Sequence, residues 1–208
     1  MKDITDVFVS HIHTYIPEEP TGAPKLEFVD PLFRRRLSQI TKMTIQVLHD
    51  LLEDVPEATH YKQVFISFRG EIKREFTINQ GIIEDSEILP AAFSLSVFNT
   101  PIAAASTALK LKAGYSVIYP SKSNFLDALK AASAPLLCGV DEKIILVYAD
   151  EHIPDEYGVA QEDDNKAMAL ACILDLHTGE VTQPNISLTS FVDSDCASCF
   201  ARFISKTD

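Results

Sequence analysis

Basic residues are scarce in this sequence. It has 18 lysines and arginines against 30 aspartates and glutamates, which gives a formal net charge of −12. Because phosphate neutralisation requires a basic face, this deficit argues against a nucleic-acid-binding role. The same deficit argues against docking on an anionic membrane surface.

An apolar signal-peptide core is also missing, because residues 1–6 are largely polar and acidic; we therefore expect a cytoplasmic protein. The four cysteines fit reduced thiols in that compartment. Cys138 and Cys172 have apolar neighbours in the sequence, which predicts core positions. Cys196 and Cys199 have metal-like or redox-like spacing, but no second such pair and no nearby histidine completes a zinc set.

Histidines are few, and two of them, His11 and His13, fall on one side of a predicted strand. No carboxylate is near them in the sequence, so the pattern favours a surface role over a metal site. We therefore predict no metal site and no cofactor held by this chain itself.

Charge is absent from residues 90–109, although 23% of the whole chain is charged. A soluble chain does not leave such a gap at its surface, so we expect the segment to be buried on all sides. Its two prolines, its polar side chains and the lack of a basic flank before Lys110 argue against a membrane span. Residues 99–109 are alanine-rich and predict a helix buried on every face.

Strands and helices alternate along the chain. Apolar residues recur at three- and four-residue spacing from Leu32 to Leu52, which predicts one helix with Asp30 as its N-cap. Weaker patterns predict helices near residues 72–83 and 124–132. Strands are predicted around residues 11–13, 63–68, 116–119, 143–149 and 167–176. The alternation predicts an α/β fold, formed by residues 1–208 as a single domain.

Five short segments carry a resemblance to a known family. They are residues 34–38 (RRRLS), 65–71 (FISFRGE), 92–99 (AFSLSVFN), 114–132, a glycine-led strand that turns directly into a helix, and 146–154 (LVYADEHIP). In their order and spacing they resemble the N-terminal half of β-ketoacyl synthases of the thiolase superfamily. Within that superfamily, their order and spacing resemble those of the chain length factors of aryl polyene gene clusters. The resemblance implies a mixed, mostly five-stranded sheet with helices on both faces.

The family's cysteine nucleophile is missing here. In the family it lies in the turn between strand and helix, where this chain has Ser121, Lys122 and Ser123, with Lys122 at the nucleophile position. A lysine or serine there lacks the reactivity of a thiolate at neutral pH. The family's catalytic histidines belong to a C-terminal half that is not recognisable in this chain. We therefore predict no catalytic residue, and an apolar face that marks a partner surface.

The resemblance also implies a dimer strand. In the family, the strand before the turn pairs with its counterpart across the dimer axis. Carried over, the interface residues are Ser116, Val117, Ile118 and Tyr119, and Pro120 ends the ladder because it has no N–H to donate. The alternative is an ordinary core strand.

A chain length factor would line an acyl tunnel at that interface. Bulky apolar residues there would set where the growing chain stops, because overpacking a tight pocket costs about 1–3 kcal/mol. The candidate tunnel residues are Phe93, Phe98, Tyr115, Tyr119 and Phe125, whose flat rings would suit a conjugated polyene. Ordinary core packing is the alternative for each of them.

Arg34, Arg35 and Arg36 stand in the first turns of the predicted helix, where cations oppose the helix dipole. Their position suggests an anionic contact, either carboxylates of a partner subunit or a phosphopantetheine-bearing acyl carrier protein; a solvated helix start is the alternative. Residues 141–164 are strongly acidic and should repel an acidic carrier protein, which leaves carrier docking to the partner subunit.

The sequence therefore predicts a non-catalytic subunit that forms a heterodimer with an active β-ketoacyl synthase. It would complete the acyl tunnel of that enzyme and limit elongation of an aryl polyene on an acyl carrier protein. One alternative is an independent acyltransferase with Ser121 or Ser123 as nucleophile, but no nucleophile elbow, histidine partner or acidic orienter supports it. A second alternative is a scaffold subunit without a tunnel.

Overall fold

The computed structural model describes residues 7–86, 90–120, 125–158 and 165–176, and the backbone of 186–187. Its strands are β1 (Phe8–Tyr15), β2 (Lys62–Ile66), β3 (Tyr115–Ile118), β4 (Lys143–Asp150), β5 (Met168–Asp175) and β6 (Ile186–Ser187). They form one sheet in the order β3-β2-β4-β5-β1-β6. β2 runs parallel to β3 and β4, and the remaining neighbours pair antiparallel. The predicted mixed sheet of mainly five strands is confirmed, and β6 adds two residues to it.

The α-helices in the described ranges are α1 (Pro31–Arg34), α2 (Gln39–Asp54), α3 (Ile72–Asp85), α4 (Pro90–Phe93), α5 (Thr100–Ala108) and α6 (Phe125–Leu137). Side chains along β2 alternate between two cores: Phe65 packs with α2 and α5, and Val64 and Ile66 pack with α6. Helices thus cover both faces of the sheet, as predicted. Among the described helices, none combines the length and apolar character that crossing a bilayer requires.

The predicted long helix after Asp30 is two helices. Asp30 caps α1 as predicted, because its carboxylate accepts hydrogen bonds from the backbone N–H groups of Leu32 and Phe33. The helix ends at Arg34, however, and a second one begins after the N-cap Ser38. The three arginines therefore lie at the end of α1 and beyond it, so the expected opposition to a helix dipole is wrong.

The uncharged segment, residues 90–109, is only partly buried, contrary to expectation. α5 buries one face, including Ile102 and Ala105, in the core that it shares with α2. Before α5 the chain lies on the surface, where 56% of Phe93 and 49% of Val97 are exposed. The physical reason is that α4 lies beside α3, and neither of these helices contains a buried residue. The missing charge therefore marks an apolar surface as well as a core.

Two of the four cysteines fall in the described ranges. Cys172 is buried in β5, as predicted. Cys138 is exposed, so its predicted core position is wrong; it follows the end of α6, where the chain leaves the core at Gly139. Cys196 and Cys199 lie outside the described residues.

Candidate functional site

The three parallel strands end at the same edge of the sheet. The loop 67–71 follows β2, Pro120 comes shortly after β3, and Asp150 is the last residue of β4. Open α/β sheets bind their ligands at this carboxyl edge. The predicted nucleophile turn, Ser121, Lys122 and Ser123, follows Pro120 in the sequence but lies outside the described residues.

Asp150 is the centre of the hydrogen bonds at this edge. Its buried Oδ1 accepts hydrogen bonds from Oγ of Ser67 (2.6 Å) and from the backbone N–H groups of Phe68 and Arg69 (both 3.0 Å). Its Oδ2 accepts one from the hydroxyl of Tyr148 at 2.6 Å. Burial raises the pKa of Asp150, although the Arg69 charge and these donors favour the ionised form. The carboxyl group thus fixes the loop after β2 to the end of β4.

An aromatic pair packs against this loop. The rings of Phe98 and Tyr119 meet edge to face, with centroids 5.6 Å apart. Phe98 also lies so close to Gly70 that a Cβ there would be 2.6 Å from its Cδ2 atom. Gly70 has a φ of +57°, which glycine adopts without penalty. Two of the five predicted tunnel residues are thus in contact, and a glycine makes room for one of them.

Gly70→Ala should lower the free energy of unfolding by about 2–3 kcal/mol, because the methyl group both strains the backbone and displaces the Phe98 ring. Gly139→Ala is the matched control, because Gly139 has a φ of +70° with open space around it. We expect that control to cost only the backbone strain, about 1 kcal/mol. Urea unfolding of both variants measures the difference. Equal losses would contradict the tight packing of Phe98 on the loop.

The other three predicted tunnel residues lie elsewhere. Tyr115 is half-buried beside the core of α2 and α5, and its hydroxyl accepts a hydrogen bond from Nδ2 of Asn99 at 3.1 Å. Phe93 lies exposed in α4. Phe125 is fully buried in the α6 core, where its ring centroid is 5.4 Å from that of Tyr148. Tyr115 and Phe125 therefore pack on opposite faces of the sheet.

β3 is an edge strand of the sheet. β2 pairs with one side of it, and no strand of the described ranges pairs with the other. The carbonyl oxygens of Gly114 and Ile118 accept hydrogen bonds from backbone N–H groups on the β2 side. Because backbone groups alternate in direction along a strand, those of Tyr115 and Val117 point to the free edge.

The predicted interface residues all lie on this edge strand or directly after it: Ser116, Val117, Ile118 and Tyr119. The first three are half-buried, and Tyr119 is 67% exposed. Pro120 follows and is buried. The strand therefore has apolar side chains, one edge that is hydrogen-bonded to β2, and one edge, here called the open edge, that no strand of the described residues covers. Strand pairing requires such an edge.

The predicted partner-contact arginines have different environments. Nη1 of Arg34 donates hydrogen bonds to the carbonyl oxygens of Lys25 (3.1 Å) and Leu26 (3.0 Å), which holds the preceding loop in place. Arg35 and Arg36 expose their side chains. Arg34 is therefore a structural residue, and the exposed pair offers the charge that a partner could meet.

Arg74 joins this basic surface, and sequence reasoning missed it. Its Nη2 donates to the carbonyl oxygen of Arg36, and its Nε donates to Oε2 of the buried Glu71, both at 3.0 Å. Oε1 of Glu71 accepts hydrogen bonds from the hydroxyls of Ser38 (2.6 Å) and Thr41 (2.7 Å). Glu71 thus ties the start of α2 to α3 and positions the Arg74 guanidinium.

Glu151 is a second buried carboxyl group beside this network. Its Oε1 accepts a hydrogen bond from the backbone N–H of Lys73 at 3.0 Å, while its buried Oε2 has no hydrogen-bond partner among the described residues. Burial, together with the charge of Glu71, raises the pKa of Glu151 to about 7. The group is therefore partly protonated at neutral pH.

Glu151→Gln should remove a pH dependence of stability. The folded-state pKa of about 7 exceeds the ordinary 4.5, so the native chain retains a proton that the unfolded chain releases. The contribution of this proton to the free energy of unfolding is therefore complete below pH 4.5. It falls by about 3 kcal/mol as the pH rises to 7. The variant has no such proton, so at pH 8 it should be the more stable chain.

Urea unfolding at pH 5 and pH 8 checks this expectation, with Glu57→Gln as the control, because Glu57 is exposed. That control should follow the unsubstituted chain at both pH values. If Glu151→Gln also follows it, the carboxyl group is not the source of the pH dependence.

Comparisons with known proteins agree with this architecture. A family model described as the N-terminal domain of β-ketoacyl synthase matches residues 11–199. No curated protein sequence matches the chain. Among solved structures, one similar chain belongs to a ketosynthase in complex with its chain length factor from Xenorhabdus doucetiae. Its TM-score is 0.64 at 19% identity, over 83% of this chain and 80% of that chain.

Two further structures are similar. The ishigamide ketosynthase/chain length factor has a TM-score of 0.62 at 13% identity, over 78% of this chain and 50% of that chain. The ketosynthase from module 1 of the bacillaene synthase of Bacillus amyloliquefaciens has a TM-score of 0.57 at 13% identity, over 83% of this chain and 42% of that chain. This chain thus spans half or less of the latter two, and at these identities the likeness concerns the fold.

Proposed function

Because this chain belongs to the β-ketoacyl synthase N-terminal domain family, we propose that it is a chain length factor. In this proposal it is a non-catalytic subunit that forms a heterodimer with an active β-ketoacyl synthase. It completes the acyl tunnel of that enzyme and limits elongation of an aryl polyene on an acyl carrier protein. The observation that carries the proposal is the open edge of β3 next to the exposed ring of Tyr119.

The open edge supports association through strand pairing. An exposed row of N–H and C=O groups is a template for another strand, and isolated proteins usually cover or blunt such an edge. Exposed apolar side chains nearby in the chain, those of Phe93 and Val97, add surface that a partner would bury. A solved structure similar to this chain is a ketosynthase of Xenorhabdus doucetiae in complex with its chain length factor.

The Phe98–Tyr119 pair is the proposed stop for the growing acyl chain. It lies where the open edge meets the loop after β2, so a tunnel shared by the two subunits would reach it. Phe98→Ala in the heterodimer should give longer products or a broader distribution, because the smaller side chain leaves room that an acyl chain can fill. Mass spectrometry of the products measures this shift.

Phe28→Ala is the control for that experiment, because Phe28 is also a partly exposed aromatic residue but stacks on His49 of α2. It should leave the product length unchanged. If Phe98→Ala also leaves it unchanged in an intact heterodimer, this pair does not form the stop.

Arg35, Arg36 and Arg74 are the proposed contact for carboxylates of the partner or for the phosphopantetheine of a carrier protein. Glu71 holds the Arg74 guanidinium in a fixed position, which reduces the entropy lost on binding an anion. Cys172 is a buried free thiol, which fits the reducing cytoplasm where we expect the complex to act.

Co-expression with ketosynthases of aryl polyene type tests the proposed function. With an affinity tag on the ketosynthase alone, we expect this chain to co-purify with it in equal amounts and to be required for chain extension. The isolated chain should not turn over an acyl thioester. A stable, isolated chain that becomes acylated at Ser121 or Ser123 would instead establish an independent acyltransferase.

A further inference from the structure

α3 is attached to the rest of the domain chiefly at its first turn. None of its 14 residues is buried, and the helix beside it, α4, contains no buried residue either. Phe76 packs edge to face against Tyr157, with ring centroids 5.1 Å apart, but Tyr157 is itself 48% exposed. Near the end of the helix, Ile83 is exposed as well. Burial of apolar side chains therefore contributes little to holding α3 in place.

Two buried carboxyl groups hold the first turn of α3. Glu71, the N-cap of α3, accepts hydrogen bonds from two hydroxyl groups at the start of α2 and from the Arg74 guanidinium. Glu151, which follows β4, accepts one from the backbone N–H of Lys73. Both side chains are fully buried. Their hydrogen bonds thus tie α3 to α2 and to the end of β4, and we call this junction the clasp.

The clasp compensates one negative charge better than two. The Arg74 guanidinium and the two hydroxyl groups face the carboxylate of Glu71. By contrast, Oε2 of Glu151 has no hydrogen-bond partner among the described residues, although the side chain is fully buried. A buried charge with an unsatisfied oxygen is costly, and the neighbouring charge of Glu71 adds to that cost.

Glu151 therefore keeps a proton up to neutral pH. Burial and then the charge of Glu71 raise its pKa to about 7, although the Lys73 ammonium and the backbone N–H groups of Lys73 and Ile40 favour the ionised form. From the loop after β2, Arg69 donates a hydrogen bond to the backbone carbonyl oxygen of Glu151 at 2.7 Å. Loss of the proton places a second negative charge in the clasp, and movement of α3 away from Glu151 would admit water to it.

We propose that the clasp is a pH-sensitive switch, which holds α3 in place while Glu151 is protonated and releases the helix when Glu151 ionises. The stabilisation that the proton gives to the closed clasp is complete below pH 4.5 and is lost as the pH rises through 7. The sheet can remain folded when α3 leaves, because α3 contributes no residue to either core. Release would also separate Arg74 from Glu71 and from the carbonyl oxygen of Arg36, and so disperse the basic surface.

Amide hydrogen exchange of the full chain at pH 5.5 and pH 8.0 tests the switch, with each rate divided by the intrinsic rate at that pH. Protection of the α3 amides from Glu75 to Asp85 should fall by about 30-fold between these pH values, because opening returns Glu151 to its ordinary pKa of 4.5. Low urea concentrations should hardly change exchange in α3, because a local opening exposes little surface. The amides of α2 should instead exchange by global unfolding, which urea promotes strongly.

Two variants assign the response to one carboxyl group. Glu151→Gln should abolish the fall in α3 protection, because the amide has no proton to lose and its Oε1 can still accept from Lys73. Glu84→Gln, the control, replaces an exposed carboxylate near the other end of α3 and should retain the fall.

Three results would overturn the proposal. The first is α3 exchange that has the same protection and urea dependence as that of α2, which would mean that the helix opens only when the whole chain unfolds. The second is α3 protection that does not change between the two pH values. The third is a Glu151→Gln chain that responds to pH as the unsubstituted chain does.

Discussion

Val117→Pro should abolish association with the ketosynthase partner, whereas Val117→Ala should retain it. The backbone N–H of Val117 points to the open edge of β3, so proline removes a donor from the proposed ladder between subunits. Alanine loses nearly the same side-chain contacts but keeps that donor. We expect the proline variant to bind at least about 100-fold more weakly, because it loses a hydrogen bond and adds a clash at the centre of the interface.

Proline is the sharper probe here because edge strands tolerate it where the N–H faces away from the sheet. The isolated Val117→Pro chain should therefore stay within about 1 kcal/mol of Val117→Ala in urea unfolding. Ser116→Pro should destabilise the isolated chain instead, because alternation directs the Ser116 N–H towards β2. Native-like partner binding by a folded Val117→Pro chain would remove β3 from the interface.

The sequence predicts a strand or helix best where the residues of that element alone indicate how it is buried. The apolar run at residues 143–149 predicts a strand covered on both faces, and all of β4 after Lys143 is buried. Helix boundaries were harder, because the apolar spacing between Leu32 and Leu52 continues across the break that separates α1 from α2. Ser38, a residue type that favours N-caps, was the signal for that break.

The candidate site depends on contacts that local patterns do not contain. Asp150 accepts a hydrogen bond from Ser67, which lies 83 residues away in the sequence. Asp54 is hydrogen-bonded to His11, which lies 43 residues away. The position of Asp150 directly after an apolar run is visible in the sequence and could have indicated a functional carboxylate. Its hydrogen-bond partners cannot be read from the sequence. A pattern without charge likewise cannot distinguish a core from a surface that a partner covers, which is why residues 90–109 were expected to be buried.

Asp150→Ala should lower the free energy of unfolding by about 3–5 kcal/mol, because several donors would lose one common acceptor in a buried site. Asp150→Asn is the matched control. Its side-chain oxygen can still accept from Ser67 and from the backbone N–H groups of Phe68 and Arg69, so we expect a loss of about 1–2 kcal/mol. Urea unfolding gives both values, and equal losses would show that the acceptor is not what holds the loop.

The alanine variant also connects stability to the proposed function. Hydrogen exchange at the backbone N–H groups of Phe68 and Arg69 should accelerate more in Asp150→Ala than in Asp150→Asn, since only alanine removes their acceptor. A loosened loop no longer holds Gly70 in place, so it no longer holds the Phe98 ring that packs against Gly70. In the heterodimer, Asp150→Ala should therefore broaden the product-length distribution although Phe98 itself is unchanged. An unchanged distribution alongside faster exchange would mean that loop order does not control where the acyl chain stops.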